Sequence, residues 1–249
     1  MEETKVYGRS PLLITSATGT TFCPGCGHST MIKILAEIIE ENDWGTTAIH
    51  VNGVGCGLNI HELLAWDMIQ CPHGRAAAVA TGVKRVRRKN LVFTYQGDGD
   101  ASSIGLGETY HAAIRREPIT AIMINNQIYG MTGGQTSATT LIGQVTTTDR
   151  KGKRADQCGY PLRAAETIAV TEGPAFIGRF GLFSPQEVKK TKAALTKAFK
   201  LQLEKGIYSF IEILSMCPTN WYVQPWETPV YIKEKVLPVY PLGVFKDVE

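Results

Sequence analysis

The chain has 249 residues, 43% of them hydrophobic, and a formal net charge of +3. That apolar content supplies the core of one large domain, and so small a charge argues against a nucleic-acid partner. No apolar run approaches the roughly 20 residues that span a bilayer, and the acidic, polar start "MEETKVYGRS" lacks the order of a secretory signal, so a cytoplasmic protein without membrane contact is expected.

In chain order, "TMIKILAEIIEE" places Ile32, Leu35, Ile38 and Ile39 at helical spacing, with Ser29 as its expected N-cap. "TTAIHV" reads as a β-branched strand, "GRAAAVATGVKRVRR" as an Ala-rich helix and "NLVFTY" as a buried strand. "LGETYHAAIRR" is helical and "ITAIMIN" a strand; "AFIGRF", "SPQEVKKTKAALTKAFKLQLEK" and "YSFIEIL" complete a strand, long helix, strand series. Strands joined by helices predict an α/β fold, a parallel sheet with helices on both faces. The tail from Pro225, rich in proline and aromatics, reads as an extended segment that wraps a partner. "KRVRRK" (84–89) closes a helix, where cations suit the negative dipole end, and "DRKGKR" around Lys151 reads as a solvated loop.

The unusual residues fall after strands: "GVGCG" after Val51, "QGDGD" after Tyr95, "NNQIYGMTGGQ" after "ITAIMI" and "SMCPTNW" after "YSFIEIL". Loops beyond the carboxyl ends of parallel strands converge on one crevice, so all four should share a site. Asp98, between Gly97 and Gly99, and Asn126 at the end of the adjacent strand offer oxygen ligands to a hard cation such as Mg²⁺, which shares its coordination with substrate phosphates. Ile128 could add a main-chain carbonyl, and the glycines after it backbone N–H groups for phosphate oxygens. "GDG" alone is a common turn composition. With "NN" following at this interval it is the signature of thiamine diphosphate binding.

Six cysteines in a reducing compartment read as metal ligands, catalytic groups or buried thiols rather than disulfides. Cys23 and Cys26 form a C-x-x-C pair, and Cys56 and Cys217 in strand-end loops bring the thiolates to four. By count these suit Zn²⁺ or a [4Fe–4S] cluster equally, and an electron acceptor beside thiamine diphosphate favours the cluster. Cys71 competes with Cys217 as fourth ligand, and Cys158 reads as a plain loop thiol. His50, His61 and His111 are assigned to packing or surface.

"CPGCGH", "GVGCG", "HGRAAAVATGVK", "GDGD", "NNQIYGMTGGQ" and "SMCPTNW" together resemble the β subunit of the 2-oxoacid:ferredoxin oxidoreductases. The resemblance implies thiamine diphosphate with Mg²⁺ on Asp98, Asn126 and the Ile128 carbonyl, and a [4Fe–4S] cluster on Cys23, Cys26, Cys56 and Cys217. It implies that Val54, Gly55, Cys56, Gly57, His73, Gly99, Asp100, Gly130 and Met131 touch the organic cofactor, with helix capping the other reading of His73. The implied reaction is coenzyme A-dependent oxidative decarboxylation of a 2-oxoacid, with electrons passed to ferredoxin. No Glu stands in a matching motif for the catalytic base, and no ferredoxin-type cysteine run is present. The base is therefore expected on an α (pyrimidine-domain) subunit, and γ and ferredoxin-like δ subunits are further expected partners. Gly133 and Asn59 stand where relatives acting on 2-oxoglutarate carry cations, which leans toward an uncharged branched-chain acid such as 2-oxoisovalerate. 2-Oxoglutarate remains the alternative substrate, a non-oxidative decarboxylase or synthase the alternative reaction, and a zinc-stabilised binding module the non-catalytic rival.

Overall fold

The structure, a computed structural model, describes residues 10–13 and 22–248; the start of the chain read above for targeting lies outside them, apart from Ser10. The first helix, α1 (Gly27–Glu41), begins three residues earlier than its apolar period predicts, so Cys26 rather than Ser29 takes the N-cap position and Ser29 falls inside the first turn. Strand β1 (Ala48–Asn52) follows, then a 3₁₀ segment (Cys56–Glu62) and a short strand β2 (Asp67–Gln70) that the sequence reading did not anticipate. Helix α2 (Ala76–Val86) leads to β3 (Leu91–Gly97), whose end passes directly into a π-helical turn (Gly99–Ile104) and α3 (Leu106–Ile114). After β4 (Thr120–Asn125) come short helices α4 (Ala155–Cys158) and α5 (Ala164–Ala169), then β5 (Phe176–Gly181), α6 (Pro185–Lys205) and β6 (Ser209–Leu214). Helix α6 has a clear start and stop: the Ser184 hydroxyl accepts from the Glu187 amide, Pro185 fits the first turn, and Gly206 ends it at φ 64°.

The seven strands lie in the order β2-β1-β3-β4-β6-β5-β7, all neighbours parallel except β7 (Gly243–Asp247), which runs antiparallel to β5. Alternate strand residues serve opposite faces. Phe93 and Tyr95 pack with α1 and α6, whereas Val92 joins the core under α2, α3 and α5. The sheet is thus covered on both sides, and the order reverses between β1 and β3, where a crevice opens.

The tail differs from the expectation of an extended arm. Short helix α7 (Pro218–Trp221) is followed by α8 (Thr228–Tyr231) and a π-helical turn (Ile232–Val236), and β7 then adds to the sheet edge. Ile232, Val236 and Tyr240 are fully buried with Ile128, Leu141 and Trp221 in a third core. Ile232, Val236 and Tyr240 therefore cover this chain's own loops, while Trp226 and Val230 stay exposed. Among the described residues no helix is long and apolar enough to cross a membrane.

Candidate active site

The crevice holds a cavity of about 80 Å³ lined from the loops after β1, β2, β3 and β4. Its walls include all nine residues expected at the organic cofactor, Val54, Gly55, Cys56, Gly57, His73, Gly99, Asp100, Gly130 and Met131, together with Asp98, Asn126 and Ile128. His28, Tyr129 and Thr132 also line it, and the sequence reading missed all three. A signal for His28 existed, since it follows Cys26 by two residues and faces the same end of the sheet.

Asp98 is buried, its Oδ2 accepting hydrogen bonds from Ser137 (2.6 Å) and Thr139. Burial raises its pKa to about 6, against the pull of those hydroxyls and the Asn126 amide. A carboxylate held this deep is short of positive charge, and a cation would supply it. Asn126 sits at the end of β4 with its Oδ1 accepting from the Ile128 amide (3.2 Å) and its carbonyl accepting from Trp221 Nε1 (2.9 Å). The following turn depends on glycine: Gly133 and Gly134 have φ of 100° and 92°, and Tyr129 pairs with Gln135 across it.

Asp100 acts differently from Asp98. Its Oδ1 accepts from the amides of Val54 (3.1 Å) and Gly74 (2.9 Å), its Oδ2 from Gln96 Nε2 (2.5 Å), and His73 Nδ1 lies against its Oδ1. One carboxylate thus ties together the loops after β1, β2 and β3. A Cβ on Gly53 would fall 2.3 Å from Asp100 Oδ2, which is why glycine stands there. Likewise a Cβ on Gly99 would meet the Tyr129 ring at 2.2 Å, and the Tyr129 hydroxyl donates to the Gly99 carbonyl.

A second cavity, of about 200 Å³, adjoins the first and is ringed by Cys23, Cys26, Cys56 and Cys217. Cys26 N–H donates to the Cys23 carbonyl, and the Gly27 amide to that of Met216, which fastens the C-x-x-C turn to the loop after β6. Burial raises the Cys26 and Cys56 thiols to about 12, with the neighbouring cysteines adding to it, and raises Cys217 as well. Such thiols ionise only against a positive centre. Among the described residues, no three His, Cys, Asp or Glu side chains converge where a single ion could sit. A lone Zn²⁺ would need thiolate sulfurs about 2.3 Å from one point, an arrangement absent among the described residues. Cys71 is excluded from the ring: it packs beneath α2, and its thiol donates to the Asn52 carbonyl (3.1 Å). Cys158 is exposed elsewhere.

Cys56, Asn126, Gly130 and Met131 line both cavities. A Cβ on Gly130 would lie 3.2 Å from Cys56 Sγ, and Asn220 Nδ2 reaches both the Gly130 carbonyl (3.1 Å) and Cys217 Sγ (3.4 Å). None of the described residues lining either cavity is Glu, Lys or Arg. Of the other histidines, His50 stacks on Phe93 in the core and His61 and His111 are exposed.

The profile of the family "Thiamine pyrophosphate enzyme, C-terminal TPP binding domain" matches residues 54–213, which contain the first cavity's loops after β1, β2, β3 and β4 and place the chain among thiamine diphosphate-binding enzymes. The "Ketoisovalerate oxidoreductase subunit VorA" of Methanothermobacter marburgensis is 38% identical over 94% of this chain, which spans 49% of that relative, about half its length. The "2-oxoglutarate synthase subunit KorB" of Archaeoglobus fulgidus is 31% identical over 89% of this chain and 79% of its own. The chain belongs to the thiamine diphosphate-binding subunits of the 2-oxoacid:ferredoxin oxidoreductases. A solved 2-oxoglutarate:ferredoxin oxidoreductase from Magnetococcus marinus, with 2-oxoglutarate, coenzyme A and succinyl-CoA bound, shares the fold: its TM-score is 0.78 at 21% identity, over 100% of this chain and 87% of that one.

Proposed function

We propose that this chain is the thiamine diphosphate-binding and [4Fe–4S]-binding β subunit of an enzyme that oxidatively decarboxylates a 2-oxoacid to an acyl-coenzyme A and CO₂. The observation that carries this reading is the shared wall of the two cavities, where Cys56, Asn126, Gly130 and Met131 face both. When bound, thiamine diphosphate supplies the carbanion chemistry that releases CO₂ and the cluster accepts single electrons. Asp98, Asn126 and the Ile128 carbonyl are assigned to Mg²⁺. Val54, Gly55, Gly57, His73, Gly99, Gly130 and Met131 are assigned to contact with the cofactor, and Asp100 to contact and to holding the loops in register. Cys23, Cys26, Cys56 and Cys217 are assigned to the cluster, and the ring they form around about 200 Å³ supports that assignment over a single zinc ion.

The absence of glutamate from both linings supports a catalytic carboxylate on a partner α subunit. Further γ and ferredoxin-like δ subunits would carry electrons onward to ferredoxin. The whole of residues 22–248 is read as one thiamine diphosphate-binding domain whose tail closes on itself. Six free cysteines support a reducing cytoplasm.

For substrate, the lack of lysine and arginine in both linings favours a 2-oxoacid with an apolar branched side chain, such as 2-oxoisovalerate. Similarity to a 2-oxoglutarate synthase subunit keeps 2-oxoglutarate as the second candidate. The test is anaerobic reduction of a ferredoxin or viologen dye by the native complex with coenzyme A and each of several 2-oxoacids. Fastest turnover with 2-oxoisovalerate supports the reading; CO₂ release without dye reduction would replace it with a non-oxidative decarboxylase.

A further inference from the structure

Beneath the loop assigned to Mg²⁺ lies a chain of buried polar groups that the proposed chemistry does not use. Glu212, on β6 and fully buried, accepts from Arg179 Nη2 (2.9 Å) through Oε2 and from Asn125 Nδ2 (2.7 Å) through Oε1. Arg179, also fully buried, is held further by Glu166 and the Pro241 carbonyl, and lies between the rings of Tyr240 and Phe245. Because the Glu212 carboxylate only accepts, it fixes the Asn125 amide with its nitrogen inward and its oxygen toward the loop. That oxygen receives the Gln127 amide (3.1 Å) and Gln127 Nε2 (3.0 Å). Gln127 stands between Asn126 and Ile128 at φ 58°, a conformation that a side-chain-bearing residue adopts only when held. From Arg179 a second arm passes over Tyr240, whose hydroxyl donates to the Thr139 carbonyl (2.7 Å), and the Thr139 hydroxyl in turn donates to Asp98.

We infer that Glu212 is a positioning residue for the cation site: by setting the orientation of the Asn125 amide it locks Gln127 in the left-handed conformation and so places Asn126 and Ile128 together. This rests on the proposed Mg²⁺ role of that loop. In Glu212→Gln the new amide presents a donor to either Arg179 or Asn125, the Asn125 amide turns over, and Gln127 loses its acceptor.

Calorimetric titration of the native complex with Mg²⁺ and thiamine diphosphate tests the inference without turnover. Glu212→Gln should weaken binding about 10-fold, the equivalent of one lost hydrogen bond. Adding Gln127→Gly, which removes the side-chain penalty at that φ, should restore most of the affinity while leaving the melting temperature of Glu212→Gln unrestored. Should Glu212→Gln fail to fold, Asn125→Ala removes the amide that Glu212 orients while leaving the Arg179–Glu212 pair in place, and should weaken binding about 10-fold. Unchanged affinity in a folded Glu212→Gln, or in Asn125→Ala where that variant decides, overturns the positioning role. Weakened affinity that Gln127→Gly does not restore also overturns it. A wild-type complex that binds no thiamine diphosphate with Mg²⁺ overturns the cofactor reading itself, and the inference with it.

Discussion

Replacing Asp100 should separate its role as a tie between loops from any role as a charge. In Asp100→Ala the amides of Val54 and Gly74 and the Gln96 side chain lose their acceptor. Each buried group left unpaired costs about 1–3 kcal/mol, so a loss of about 4 kcal/mol is expected. In Asp100→Asn the new oxygen keeps both backbone amides, and a turn of the Gln96 amide brings its oxygen to the new nitrogen. Only the charge assistance is lost, about 1–2 kcal/mol. At roughly 2–4 °C per kcal/mol for a domain of this size, the melting temperature should fall by about 8–16 °C for the alanine variant and by about 2–8 °C for the asparagine. Gly53→Ala should resemble Asp100→Ala, because its Cβ would sit 2.3 Å from Asp100 Oδ2 and push the carboxylate off the amides. Calorimetric melting of the three variants is the assay. Equal melting temperatures for Asp100→Ala and Asp100→Asn would refute the loop-tie argument.

Other outcomes follow from the same contacts. His50, buried against Phe93 with both ring nitrogens unpaired, has its pKa lowered by burial to about 3. Its folded form binds fewer protons than the unfolded form between about 3 and 6.5, so stability contributed above 6.5 is lost on acidification, by about 2 kcal/mol at pH 5. His50→Phe should remove that share of the acid sensitivity, and urea unfolding at pH 7 and pH 5 measures it; an unchanged pH slope would contradict the assignment. Cys71→Ala should leave iron content intact while Cys217→Ser lowers it, as metal analysis of anaerobically purified protein will read. Trp221→Phe removes the donor to the Asn126 carbonyl while keeping the ring stack on Tyr231, and should weaken cofactor binding by about 1 kcal/mol, measured by calorimetry.

Much of this site was legible in the sequence because parallel strands deliver their following loops to one edge. The positions of Asp98, Asn126, Cys56 and Cys217 then needed only the strand ends to be right, whereas Cys23 and Cys26 precede the first helix and are brought to the same edge by the Gly27–Met216 backbone hydrogen bond. What stayed hidden depends on partners distant in the chain. Glu212 and Asn125 are 87 positions apart, and Ser137 and Thr139 reach Asp98 from about 40 positions away, which no local pattern announces. Asp100 looked like its neighbour Asp98, yet the π-helical turn at Gly99–Ile104 points the two carboxylates at different groups. The tail is helical where its proline-rich composition suggests extension, because Ile232, Val236 and Tyr240 fill a buried surface on their own chain. Ser29 is not the cap because the helix starts three residues, nearly one turn, earlier, at Gly27, where a Cβ would strike Ser215.

Cys23, Cys26, Cys56 and Cys217, proposed to hold a [4Fe–4S] cluster, ring a cavity that shares the wall of Cys56, Asn126, Gly130 and Met131 with the proposed thiamine diphosphate site. The most direct measurement is anaerobic: iron and sulfide content of the native complex, and its EPR spectrum before and after a 2-oxoacid is added with thiamine diphosphate and coenzyme A. About four iron and four sulfide per copy of this chain, and a reduced-cluster signal that the 2-oxoacid alone elicits, are expected. A colourless, zinc-bearing complex would rule out the cluster, and a cluster that dithionite reduces and no 2-oxoacid does would rule out its role in the reaction.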